Sequence, residues 1–152
     1  MPRINNQTLY ARHRLLHIIW TDLRITYSVL DIQQQWDLHS YFSPEHALTE
    51  AELQAHIRQV AAADPTLPAR AGKSFKRLHQ VFRTCYEQAG GSTQRFHAAL
   101  RPYLNYTTSV DERGREIRVS AVANPNPDPK AIARVLISIA IRQAREAGRQ
   151  GI

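Results

Sequence analysis

Cysteine is nearly missing from this chain: Cys85 stands alone, so no internal disulfide can form and no oxidising compartment is implied. With a single thiol there is no Cys pair to hold zinc. No His-Glu-x-x-His segment and no Gly-rich loop of the Walker or dinucleotide type occurs either. Glycine is scarce, six in 152 residues, and the hydrophobic share is 43%, a balance that argues for a folded chain. Long apolar runs are also missing. Leu15–Trp20 is too short for a secretory signal and is interrupted by His17. The run at 131–141 contains Arg134 and Ser138 and covers about half a bilayer span. The expectation is a soluble cytoplasmic protein with no cofactor and no metal.

Lysine is rare as well. Of 20 basic residues only Lys73, Lys76 and Lys130 are Lys, and the other seventeen are Arg. A net charge of +7 and a pI near 10.1 point toward a polyanionic partner. The planar fork of Arg suits phosphates and guanine edges, although a GC-rich coding sequence gives the same Arg surplus. Charge is uneven along the chain. Residues 1–64 carry five Arg against seven carboxylates, whereas 65–122 carry ten basic groups against four acidic ones. Residues 123–152 carry five basic and two acidic groups, so the positive field lies in the middle and at the C-terminal end.

The chain divides into periodic segments separated by turn signals. Leu9, Leu16, Trp20, Leu23, Tyr27 and Leu30 form one stripe at helical spacing and predict a single long helix from Thr8 to about Leu38. Alternation at Leu23, Ile25, Tyr27 and Val29 is a competing strand signal, so helix and strand both stay open over 23–30. Ser43-Pro44 is a break. Thr49-Glu-Ala-Glu52 has the capping-box pattern and predicts a helix to about Ala63, ended by Asp64-Pro65.

The segment up to Gly72 reads as a loop. Ser74 then caps a helix with an apolar stripe of Phe75, Leu78, Phe82, Cys85 and Ala89, which Gly90-Gly91 ends. Cys85 on that stripe reads as core. Ser92 opens a further helix that Pro102 stops near Arg101. Alternation at Tyr106, Thr108 and Val110, then at Ile117, Val119 and Ala121, brackets Asp111-Glu-Arg-Gly114 as a hairpin. Residues 124–129 are a stiff Pro-rich linker, and Asp128-Pro129 launches a last helix to about Ala147.

The order helix (50–63), helix (74–89), turn at Ala89-Gly90-Gly91-Ser92, helix (93–101) and hairpin (106–122) resembles a winged helix-turn-helix. The resemblance covers about half of the chain and rests also on Phe96, Ala99, Leu100 and the Gly114 tip. It implies a mainly α fold: a winged core at 48–122, an N-terminal helical extension at 1–42 and a C-terminal packing or dimerisation helix at 128–149. It further implies a transcriptional regulator, or a plasmid- or phage-type DNA-maintenance factor, acting as a homodimer. Thr93, Gln94, Arg95, His97 and Arg101 would meet the major groove, where amide and guanidinium groups pair with base edges. Arg113, Arg115 and Arg118 in the hairpin, with Lys73, Lys76 and Arg77, would hold phosphates. A polar helix face and a hairpin partly neutralised by Glu112 and Glu116 account for the same residues without any ligand.

Arg134, Arg142, Arg145 and Arg149 fall on one face of the last helix, bordered by Ile137 and Ile141, and mark a partner surface. Trp20 and Trp36 read as core or interface anchors. A non-catalytic subunit of a ribonucleoprotein or protein assembly is the alternative reading.

Catalysis has one weak signal. Arg12-His13-Arg-Leu-Leu-His17 resembles the Arg-x4-6-His motif of HEPN-type ribonucleases, in which Arg12 and His17 would act on the scissile phosphate and the 2′-hydroxyl. His13 projects onto the apolar stripe, where a satisfied core histidine is the commoner outcome. His13 and His17 also have the spacing of a helical metal pair but no third ligand nearby. The chain therefore reads as a non-enzyme.

Overall fold

The computed structural model describes residues 4–125 and 128–150. The fold is mainly helical, with one small antiparallel sheet. Helix α1 spans Asn6–Asp22 and α2 spans Ile32–Phe42, with a 3-10 segment, Arg24–Val29, between them. The single helix expected over 8–38 is thus three pieces. The run Ile25-Thr26-Tyr27-Ser28-Val29 is rich in β-branched residues that crowd an α-helical turn. Asp31 then starts a new helix through a full capping box: its carboxylate accepts the Gln34 amide at 2.8 Å, and the Gln34 side chain accepts the Asp31 amide at 3.1 Å. Residues 23–30 are neither a strand nor a continuation of α1.

Helix α3, Glu50–Ala63, has the bounds the sequence predicts. The Thr49 hydroxyl accepts the Glu52 amide at 3.2 Å, but Glu52 turns its carboxylate to that hydroxyl rather than to a free amide. Helix α4 runs Leu67–Ala89 and begins at Leu67 rather than at Ser74. Pro68 sits in its first turn, where an amide would have no intrahelical acceptor, so the proline does not block the helix. Ser74 is buried within it. Gly90 at φ 54° and Gly91 at φ 88° reverse the chain into α5, Thr93–Leu100, followed by a 3-10 turn, Arg101–Tyr103. Strands β1, Thr107–Val110, and β2, Glu116–Val119, pair antiparallel from Thr107↔Val119 to Val110↔Glu116. Helix α6 spans Pro129–Gln150.

One core joins α1, the 3-10 segment, α2, α4 and α5. Leu16 and Ile19 of α1, Leu38 and Phe42 of α2, Leu78, Val81 and Cys85 of α4, and Phe96 and Leu100 of α5 belong to one buried cluster. Residues 1–42, where an extension is expected, therefore supply part of the same core as α4 and α5. Tyr27 is fully buried and donates its hydroxyl to the Leu16 carbonyl at 2.9 Å, which ties the 3-10 segment onto α1. Trp20 is buried against Tyr27 and His39, whereas Trp36 is 39% exposed.

Candidate nucleic-acid interface

Helix α5 is held by two side chains. Phe96 and Leu100 are buried, and the Phe96 ring lies 5.7 Å from Phe82 of α4. Ser92 caps the helix by accepting the Arg95 amide at 3.3 Å. This spacing turns Thr93, Gln94, Arg95 and His97 to solvent, and Arg101 is exposed at the start of the 3-10 turn that carries Pro102.

The hairpin is fastened to the core at its base. The Asn105 amide donates to the Ser28 carbonyl at 2.8 Å, and its side chain donates to the Val29 carbonyl at 3.1 Å. The Ser28 hydroxyl and the Gln35 side-chain amide both donate to the Ala121 carbonyl at 3.0 Å. Gln35 also accepts the Ala123 amide at 2.8 Å. Buried backbone polar groups demand partners, and here two polar side chains of the 3-10 segment and α2 supply them.

The three hairpin arginines differ in what they can offer. Asp111 accepts the amides of Arg113 and Arg115 and binds the Arg115 guanidinium at 2.8 Å. The Arg115 amide first, aided by the Arg115 side chain and the Arg113 amide, holds the Asp111 carboxyl below its usual range against desolvation, which raises it. Arg115 is thus spoken for. Arg118 lies over the Tyr106 ring at 4.7 Å and reaches Glu116 at 4.0 Å. Arg113 makes no ion pair among the described residues and is the hairpin cation most open to an external anion. Of the two glutamates that the sequence offers to neutralise the hairpin, Glu116 pairs with Arg118 and Glu112 makes no ion pair among the described residues, while Asp111 takes Arg115.

Lys73, Lys76 and Arg77 are exposed on α4 and likewise unpaired among the described residues. From Lys76 to the α5 end of α4 the helix rises about 20 Å, at roughly 1.5 Å per residue. Helix α5 packs back along α4 through Phe96 on Phe82, six residues beyond Lys76. On α6, Arg134, Arg142 and Arg145 are exposed, and so are Ile137 and Ile141, at 60% and 50%. Every described side chain from Pro129 to Arg149 is exposed. Among the described residues no helix is long and apolar enough to cross a membrane.

Arg12 and His17 do not meet. The Arg12 guanidinium lies 4.7 Å over the Phe75 ring, whereas His17 Nδ1 donates to the Pro44 carbonyl at 2.8 Å. His13 is buried and satisfied on both nitrogens, by the Phe42 carbonyl at 2.8 Å and the Leu48 amide at 3.3 Å. Burial first, and the neighbouring His17 and His46, hold its pKa below 6.5 despite the Phe42 carbonyl and Glu45. Among the described residues no group of three metal-ligating side chains comes together. The Ser28–Gln35–Asn105 clamp was not foreseen from the sequence.

Compared with known proteins, the chain matches no protein-family model, no curated protein and no solved structure.

Proposed function

We propose that this chain is a non-enzymatic, basic DNA-binding protein of the winged helix-turn-helix kind. In this reading α3, α4 and α5 are the helical part, and β1 and β2 are the wing. The observation that carries it is α5, anchored by Phe96 and Leu100 with Thr93, Gln94, Arg95 and His97 facing outward beside exposed Arg101. Amide and guanidinium groups on a rigid helix can address base edges, while Arg113 and the Lys73–Arg77 group supply phosphate contacts. Helix α6 would join two copies through its apolar side, as a regulator or a DNA-maintenance factor requires for a two-fold operator.

The test is fluorescence anisotropy of the full chain against random duplex DNA, single-stranded DNA and RNA across a salt series. Duplex preference with a steep salt slope is the expected result. Preference for RNA or single strands, or no binding near physiological salt, overturns it in favour of an assembly subunit. The exposed apolar side of α6 supports that second reading, because large uncovered apolar patches mark protein contacts.

A further inference from the structure

A cavity of about 400 Å³ lies between α1 and the segment leading into α3, built from residues that the DNA-binding reading does not use. The rings of Tyr10, His13 and His17 form a ladder along α1, with centroids 6.4 and 6.3 Å apart and planes within 20° of parallel. Ile18 and Leu48 add apolar wall, and Arg14 is the one charged residue lining it.

Backbone carbonyls fix both imidazoles. A carbonyl oxygen only accepts, so Nδ1 carries the proton in each ring and Nε2 of the neutral ring is an acceptor. His13 has used its Nε2 on the Leu48 amide. Among the described residues no protein group meets Nε2 of His17, whose ring is half-buried in the cavity wall. The Arg14 guanidinium lies 5.9 Å from the Tyr10 ring centroid and makes no ion pair among the described residues. The Thr49 hydroxyl is spent on Glu52 in both directions. The cavity therefore offers one cation, one unused acceptor and an aromatic and apolar lining.

Two other ligands fit worse. A metal held by both histidines needs two nitrogens each about 2.0–2.1 Å from one ion. Parallel rings 6.3 Å apart, one already bonded through Nε2, do not provide that. A bare inorganic anion would use Arg14 and leave the aromatic lining idle.

The geometry points to a binding site for a small aromatic anion that carries its own hydrogen-bond donor, the chemistry of a nucleoside monophosphate. Its phosphate pairs with Arg14, its ring lies against Tyr10 and Ile18, and a hydroxyl or N–H donates to His17 Nε2. The volume falls in the range of small-molecule sites, about 300–1,000 Å³. The same chemistry is offered by a free nucleotide and by the phosphorylated end of a strand.

The test is a titration of the isotope-labelled full chain, followed by amide shifts, with AMP, adenosine, inorganic phosphate and a 5′-phosphorylated trinucleotide. AMP is expected to shift amides from Tyr10 to Ile18 and at Leu48, with adenosine and phosphate each binding much more weakly. Arg14→Ala should weaken AMP by about tenfold, as expected for a charge-assisted contact. His17→Asn keeps a donor for the Pro44 carbonyl but puts nothing where Nε2 was, so the fold should persist and AMP binding should fall similarly. Tighter binding of the trinucleotide assigns the site to strand ends, and tighter AMP to the free nucleotide; either supports the cavity. No shift on α1 with AMP, shifts confined to α5 and the hairpin, or equal binding of phosphate or adenosine overturns the proposal. The outcome is separable from duplex binding, which Arg14→Ala should leave unchanged.

Discussion

Gln35 and Ala123 lie 88 residues apart in sequence and share a 2.8 Å hydrogen bond in which the side-chain oxygen of Gln35 accepts the Ala123 amide. The same side chain donates to the carbonyls of Ala121 and Leu30. One buried amide therefore sets where the hairpin leaves the core.

Gln35→Met keeps volume but strips the Leu30 carbonyl and the Ala123 amide of this partner, while the Ala121 carbonyl keeps the Ser28 hydroxyl. Chemical denaturation should show a loss of about 2–3 kcal/mol. Hydrogen exchange at Ala123 should accelerate while the amides of α4 keep their order of protection.

Arg101 and Arg113 should separate two kinds of contact. In the proposed complex, Arg101→Ala reduces the preference among duplex sequences, and Arg113→Ala weakens all duplexes alike and lowers the salt slope by about one. Arg115→Ala should do less than Arg113→Ala, because Asp111 already holds Arg115. Identical behaviour of Arg101→Ala and Arg113→Ala in competition binding would remove that division of labour.

His13 should give stability a pH dependence. Its folded pKa lies below the unfolded 6.5, so its contribution is fully present above 6.5 and is lost as pH falls toward the folded value. Glu45 acts in the same direction at lower pH. Burial pushes its carboxyl up, but the bond to His39 and its further partners bring the net shift below 4.5. His13→Leu should be less stable at pH 8, having removed the side-chain partner of the Phe42 carbonyl while the Leu48 amide keeps the His46 carbonyl at 3.2 Å, yet flatter between about pH 7 and pH 5. Urea midpoints across that range test this. An unchanged slope would remove His13 as its source.

Helix α6 should respond to charge on its apolar side. Leu136 is 60% exposed in the chain described. Leu136→Glu should convert a wild-type dimer to monomer in sedimentation without changing the melting of the core. A monomeric wild type would rule out self-association through α6.

Much of the architecture is legible because local chemistry decides it. Ser92, Thr49 and Pro129 mark helix starts, Gly90-Gly91 marks a reversal, and alternation about Gly114 marks the hairpin. The outward face of α5 follows from the spacing of Phe96 and Leu100. The split of the N-terminal segment is harder to read because Leu16, Trp20, Tyr27 and Leu30 stay in phase across it and are buried on either reading. Only Asp31 with Gln34 betrays the second start. Pro65 and Pro68 hide the beginning of α4, since proline is compatible with a first turn. The pairs His17–Pro44 and Gln35–Ala123 arise from packing between distant segments, and no local pattern encodes them.

All residues of β1 and β2 are exposed, and what fixes the hairpin lies below the strands, at Asn105, Ala121 and Ala123. The strands and tip are consequently an exchangeable cassette. Their length, charge and reach should therefore be open to change with little effect on the melting of the scaffold.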